Sequence, residues 1–296
     1  MNYYDEIKNR LIDNEIYSKV KDYSKEKHRV LTYFEIGRLL NEAGGKYGYN
    51  IIDEYSKKLV IDVGKKYNRR TLFRMKQFYN AFSNEKVSPV VSQLSWSHYL
   101  VLLSLKDINK INYYINQTLI RNLSKRQLQE IVKLKEYERL PKDTKLKLIK
   151  EEKENIQDLV KNPIIIRNSS NKEIISEKVL QKLILEDIPS FLKELGIGFT
   201  FIDNEYKIKL GDRYNYIDLL LYNIKFKCYV VVELKVVELN SNHTGQIQKY
   251  MNYIDENLKT IDENKTIGII ICRQDNEYVI KYCSDDRIIA REYELV

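Results

Sequence analysis

An aspartate, fourteen intervening residues, then a glutamate and a lysine one residue apart: Asp218, Glu233 and Lys235 could do chemistry in this 296-residue chain. Glu233-Leu234-Lys235 follows an apolar run at 230–232. In a strand alternate side chains share a face, so Glu233 and Lys235 point one way while Leu234 points into a core. A carboxylate and an ammonium at the end of such a strand need partners if they are buried. With Asp218 on a neighbouring strand, two carboxylates meet beside one lysine. That donor set suits Mg²⁺, a hard cation that takes oxygen ligands and keeps waters and substrate phosphate, with Mn²⁺ as a substitute. A cation there would polarise a phosphodiester and lower the pKa of a bound water. Lys235 would orient or help activate that water, or balance charge in the transition state. The competing reading is a surface salt bridge between Glu233 and Lys235, with Asp218 a turn residue at a strand end.

The elements that must position these residues are legible around them. The segments GFTFI, EYKIKL, YIDLLLY, KCYVVVELKVV and TIGIIICR read as strands, the third and fourth joined as a hairpin. A helix over 176–195 precedes them, with Pro189 kinking or interrupting it. Another, over 245–253, separates the fourth strand from the fifth. Helix, three antiparallel strands, helix and strand make an α/β sandwich with a mixed sheet.

The first half reads differently. Apolar residues recur at helical spacing from Tyr3 to about Leu40, with Gly44-Gly45 and Gly48 ending the run, and 51–60 reads as a second helix. Asn68 opens TLFRMKQFYNAF, where Leu72, Met75, Phe78, Tyr79 and Phe82 share a face and Arg69, Arg70, Arg74 and Lys76 lie mostly off it. Helices capped by serine follow, in LSWSHYLVLLSL and over 124–136. Residues 1–150 hold 30 Lys+Arg against 17 Asp+Glu, and 151–296 hold 20 against 25. A basic half beside an acidic one is expected where one part holds a polyanion and the other gathers carboxylates. An AT-rich genome accounts for many lysines, but not for the asymmetry. Backbone contacts from the four cations would bind DNA with a strong salt dependence and little sequence reading. A solvated charged face is the alternative.

Several classes fall away on composition. Three cysteines without C-x-x-C spacing and three scattered histidines disfavour a disulfide scaffold or a zinc site. No apolar run approaches the roughly 18–20 residues of a membrane span, and MNYYDEIKNR is no signal peptide. The expectation is a soluble, cytoplasmic protein with no membrane partner.

The run GFTFIDNEYKIKLGDRYNYIDLLLYNIKFKCYVVVELKVVELNSNHTGQIQKYMNYID resembles the nuclease domain of the YhcG-type PD-(D/E)xK family. FEIGRLL, KYG, RRTLFRMKQFY and LSWSHYLVLL resemble that family's N-terminal domain, so the likeness covers roughly 30–295. It implies two domains: a mostly α, winged-helix-like, DNA-binding domain over 1–140, and a restriction-endonuclease-like α/β domain over 163–296. A charged, partly helical linker over 141–162 is expected between them. By resemblance Asp218 and Glu233 bind metal with the main-chain carbonyl of Leu234, and Lys235 is the motif lysine. Gln246 and Tyr250, four apart on one helical face, match a Gln-x-x-x-Tyr feature, and Glu177 could reach the metal through water. Gln181 and Glu205 depart from the usual residues at their positions. His243 and His98 read as polar or structural residues, and the cysteines as small core residues. The implied activity is a metal-dependent DNA endonuclease in defence, repair or branched-DNA processing. Cutting both strands calls for a homodimer, and a protein partner is compatible with the sequence. The rival readings are an idle or partner-activated binding module and an RNA nuclease.

Overall fold

A computed structural model of the chain describes residues 2–19, 24–47, 50–83, 93–168, 176–283 and 285–296. Gly48 and the side chain of Cys283 lie outside the described residues. The chain divides into two units, Met1–Tyr137 and Glu138–Val296.

The first unit is helical: α1 (Tyr3–Ser18), α2 (Ser24–Tyr47), α3 (Ile51–Asp62), a 3-10 turn (Lys65–Tyr67), α4 (Arg69–Phe82), α5 (Trp96–Leu102), α6 (Ile108–Ile120) and α7 (Lys125–Lys133). Its core joins Ile7 and Leu11 of α1 to Ile36, Leu39 and Leu40 of α2, Leu59 of α3, and Leu72 and Met75 of α4. The expected break at Gly44-Gly45 does not occur, and α2 runs through both to Tyr47. Each helical glycine costs about 1 kcal/mol, and burial of Leu39, Leu40 and Ala43 just before them outweighs it. Gly37 is needed for packing: a Cβ there would collide with the Met75 carbonyl and stand 2.7 Å from Tyr79 Cβ of α4. Ser124 and Gln127 close a capping box at α7, whereas Ser95 before α5 makes no side-chain cap bond. Among the described residues this unit has no strand and therefore no wing; residues 84–92 lie outside them.

The stretch 141–162, expected as a linker, belongs to the second unit. It holds α8 (Lys142–Lys150) and α9 (Ile156–Leu159). Ile156 and Val160 enter the core, Asp158 accepts from Thr144 Oγ1 at 2.9 Å, and Lys147 Nζ bonds Asp158 at 2.8 Å. Just before it, Arg139 and Glu194 form a buried ion pair. Most charges of 141–162 stay exposed, while Lys147–Asp158 ties α8 to α9, and Glu154 and Lys161 pair with Lys225 and Glu194 elsewhere in the unit.

There follow β1 (Ile164–Ile166), α10 (Glu177–Glu186), α11 (Ile188–Leu195), β2 (Phe199–Leu210), β3 (Arg213–Asn223), β4 (Cys228–Leu234), α12 (Ser241–Asn257), β5 (Ile267–Cys272), α13 (Glu277–Cys283) and β6 (Ile288–Leu295). The sheet order is β1-β6-β5-β4-β3-β2. β2, β3 and β4 are antiparallel, and β4, β5, β6 and β1 run parallel. Pro189 sits in the first turn of α11, where its missing N–H is not needed, and Asp187 caps that helix. GFTFI and EYKIKL are one strand with a bulge between Phe201 and Asp203. Leu219, Val232 and Leu234 bury one sheet face against α10 and α11. Leu220, Val231 and Ile270 bury the other against Ile247, Met251 and Ile254 of α12. Cys228 and Cys272 are free and buried.

Candidate active site

The antiparallel register brings the acidic pair together. β3 and β4 pair from Asn223↔Cys228 to Leu219↔Val232, so the next position in that register sets Asp218 opposite Glu233. Directly opposed residues project to the same face, here the one covered by α12. Asp218 is anchored twice: its Oδ2 accepts the Leu234 N–H at 2.8 Å, and its main-chain oxygen accepts from Gln181 Nε2 at 2.9 Å. The Leu234 side chain is in the core on the opposite face.

Glu233 is 2% exposed. Its Oε1 accepts from Lys235 Nζ at 2.8 Å and from Gln246 Nε2 at 2.7 Å. Its Oε2 is buried without a hydrogen-bond partner among the described residues. Lys235 stands just past β4, tied by its N–H to Ile271 O at 2.8 Å, and its ammonium also lies 3.4 Å from Glu177 of α10. Gln246 donates onward to Tyr250 Oη at 3.1 Å, so Glu233, Gln246 and Tyr250 form a chain from strand to helix.

Electrostatics follow from this crowding. Burial, then the charge of Asp218, push the Glu233 carboxyl up to about 7. Burial also raises Asp218, with Glu177 and Glu205 adding and the Leu234 N–H and Lys235 opposing. Burial acts to lower Lys235, but Glu233, Glu177 and Asp218 outweigh it and hold the ammonium protonated. A buried oxygen with no donor, beside a second carboxylate and a lysine already shared, is a place for an added cation. Among the described residues no three His, Cys, Asp or Glu side chains are grouped to hold a metal. A cation here would therefore rest on Asp218, Glu233 and non-side-chain oxygens, which suits an ion that retains its waters.

The structure thus unites Asp218, Glu233, Lys235, Gln246 and Tyr250, and places Glu177 on the lysine. Gln181 has a task that sequence reasoning missed, holding the main chain under Asp218; its helical register facing β3 was the available signal. His243 is a cap of α12: its N–H bonds Asn240 Oδ1 at 3.3 Å and its Nδ1 accepts the Asn240 N–H at 3.2 Å. Burial, then Lys235, lower its pKa. His98 bonds Ser95 through Nδ1 at 2.9 Å and is likewise lowered by burial.

In the first unit, Arg69, Arg70 and Arg74 line one surface hollow with Phe73 and Gln77. Arg69 pairs with Asp53 of α3, while Arg70 and Arg74 have no carboxylate partner among the described residues. Lys76 is half-buried, with its ammonium beside Gly44 of α2, and does not line the hollow. Two arginines and no acid in the first turn of α4 oppose the helix dipole.

Residues 157–296 match the family model of the YhcG PDDEXK nuclease domain, and 12–139 match the DUF1016 N-terminal domain. The chain belongs to the YhcG-type PDDEXK nuclease family. It is 25% identical over 309 residues to "Putative nuclease YhcG" of Escherichia coli strain K12, covering 89% of this chain and 82% of that one. Among solved structures, a repair endonuclease from Pyrococcus abyssi aligns at 17% identity and a TM-score of 0.28, over 43% of this chain and 49% of that one. An EndoMS–dsDNA complex aligns at 18% and 0.29, over 44% and 48%. The mixed sheet with α10, α11 and α12 on its two faces is the restriction-endonuclease-like fold of such YhcG-type domains. PDDEXK nucleases generally use divalent metals. No helix among the described residues is long and apolar enough to cross a membrane.

Proposed function

We propose that this chain is a Mg²⁺-dependent DNA endonuclease, with Mn²⁺ as a substitute. The observation that carries the reading is Glu233 Oε2, buried and without a partner among the described residues, in register with Asp218. Asp218 and Glu233 would hold the cation, joined by the main-chain oxygen of Leu234. When bound, it polarises the phosphoryl oxygen and lowers the pKa of a water. Lys235, kept protonated by the surrounding carboxylates, is no base at neutral pH; its ammonium offsets negative charge developing on the phosphoryl group. Gln246 fixes the rotamer of Glu233, and Tyr250 fixes that of Gln246. Glu177 shares the ammonium and steadies its position.

In the same reading, Arg70 and Arg74 of α4 contact DNA phosphates, with Arg69 released from Asp53 to join them. Lys76, turned toward α2, contributes field rather than contact. The task fits the removal of foreign DNA or the processing of damaged or branched DNA.

The test is cleavage of labelled linear, nicked, branched and single-stranded DNA, and of RNA, with Mg²⁺, Mn²⁺ or EDTA. Metal-dependent cutting of DNA that disappears in Asp218→Ala supports the reading. Cutting of RNA alone overturns the substrate. Tight DNA binding without cutting under any metal makes the chain a binding module or one that a partner must activate.

A further inference from the structure

The β2–β3 hairpin outruns the sheet it belongs to. β3 pairs with β4 only over 219–223, yet it pairs with β2 as far as Leu210↔Arg213. One face of this arm is anchored: Ile208 and Ile217 are buried in the core beneath α12, and Tyr206 and Leu210 pack against it. The other face is open. Lys207 stands opposite Tyr216 and Lys209 opposite Tyr214, with the tyrosines 57% (Tyr214) and 53% (Tyr216) exposed. Lys207 Nζ lies 3.9 Å from the centre of the Tyr214 ring. Lys207 and Lys209 have no carboxylate partner among the described residues.

A protected sheet edge explains part of this. β2 is the last strand of the sheet, and lysines on an edge block pairing with other chains. It does not explain the tyrosines, which stand on β3 and leave two aromatic rings in water. Exposed rings among unpaired cations have the chemistry of a nucleic-acid strand's partner: cations for phosphates, ring faces for bases and sugars. The arm also leads straight to the carboxylates. Asp218 is two residues from Tyr216 and four from Tyr214 on the same strand, about 7 and 13 Å along it. Those spans equal about two and four steps of a DNA strand at ~3.4 Å each.

We propose that this arm grips the DNA strand beside the phosphate to be cut. Lys207 and Lys209 take its phosphates, while Tyr214 and Tyr216 lie against sugar or an unstacked base. The proposal rests on the DNA-nuclease reading above and gives that site a second contact, independent of α4.

The experiment measures binding of a labelled DNA duplex to the full chain by anisotropy across a salt series, with Mg²⁺, in the cleavage-dead Asp218→Ala background. Lys207→Ser with Lys209→Ser should weaken binding about tenfold and reduce the log–log salt slope by about 2, at ~0.9 per phosphate contact. Tyr214→Ser with Tyr216→Ser should weaken it at least about tenfold with the slope unchanged, since stacking carries no counterion release. Lys182→Ser with Lys193→Ser removes the same charge from α10 and α11 and serves as the control. Hairpin variants indistinguishable from this control, in a background that binds DNA, overturn the arm alone. A background that binds no DNA overturns the arm together with the DNA reading. Thermal melting confirms folding, which substitutions at these exposed positions should leave intact.

Discussion

Binding of a divalent cation should expel a proton from Glu233, and the number expelled should fall as pH rises. In the metal-free protein this carboxyl is pushed up to about 7 by burial and by the Asp218 charge. At pH 6 about nine-tenths of the molecules therefore carry that proton, and at pH 8 about one-tenth, and a metal ligand must be deprotonated. Apparent affinity should drop about tenfold, or ~1.4 kcal/mol, for each pH unit below 7 and level off above 8. Calorimetric titration with Mn²⁺ in buffer pairs of unlike ionisation enthalpy counts these protons directly. The sign carries into stability. A carboxyl raised from an ordinary 4.5 to about 7 contributes stability that is fully present below 4.5 and lost as pH rises to about 7. The loss is about 3 kcal/mol in the metal-free chain, at ~1.36 kcal/mol per unit. A fixed Mn²⁺ concentration should thus raise the melting temperature more at pH 8 than at pH 6, by mass action on the tighter site. Asp218→Asn keeps an acceptor for the Leu234 N–H and removes the second-largest upward influence on Glu233. Carbon-13 titration of metal-free Asp218→Asn should find the Glu233 carboxyl lower than in the parent. Proton release near zero at pH 6, or affinity flat from pH 6 to 8, refutes the assignment of the metal to Glu233.

Gln246→Ala should lower metal affinity and cleavage by about 10–100-fold, the range for losing a partner that orients a metal ligand; an unchanged Mn²⁺ titration would show that Glu233 needs no such support. Arg70→Glu with Arg74→Glu should weaken duplex binding and cut the salt slope by about 2, and equal affinity at every salt concentration would remove α4 from the interface. Gly37→Ala should destabilise the chain by about 1–3 kcal/mol through overpacking of α2 on α4, seen as a lower denaturant midpoint.

The meeting of Asp218, Glu233 and Lys235 was legible in the sequence because a strand alternates strictly, and two carboxylates with a lysine at the ends of apolar strands are costly without partners. The N-cap at Ser124 and the break at Pro189 were legible for the same local reason: each depends on backbone groups within a few residues. The amphipathic face of α4 was equally plain, because 3.6-residue periodicity survives any packing. What lay beyond reach depended on partners distant in the chain. Gly44 and Gly45 stay helical because of burial on other helices, and Lys147 meets Asp158 only once α8 and α9 fold. Short β1 and half-buried β6 earn their strand state by pairing with each other, and β6 also by pairing with β5. Gln181 gained its role from the main chain of a strand 37 residues away. Composition and spacing determined which chemistry this protein could perform. Only the tertiary structure decided that Glu233 would be left with one buried oxygen unpaired, because desolvation is a property of the assembled core and of no local segment.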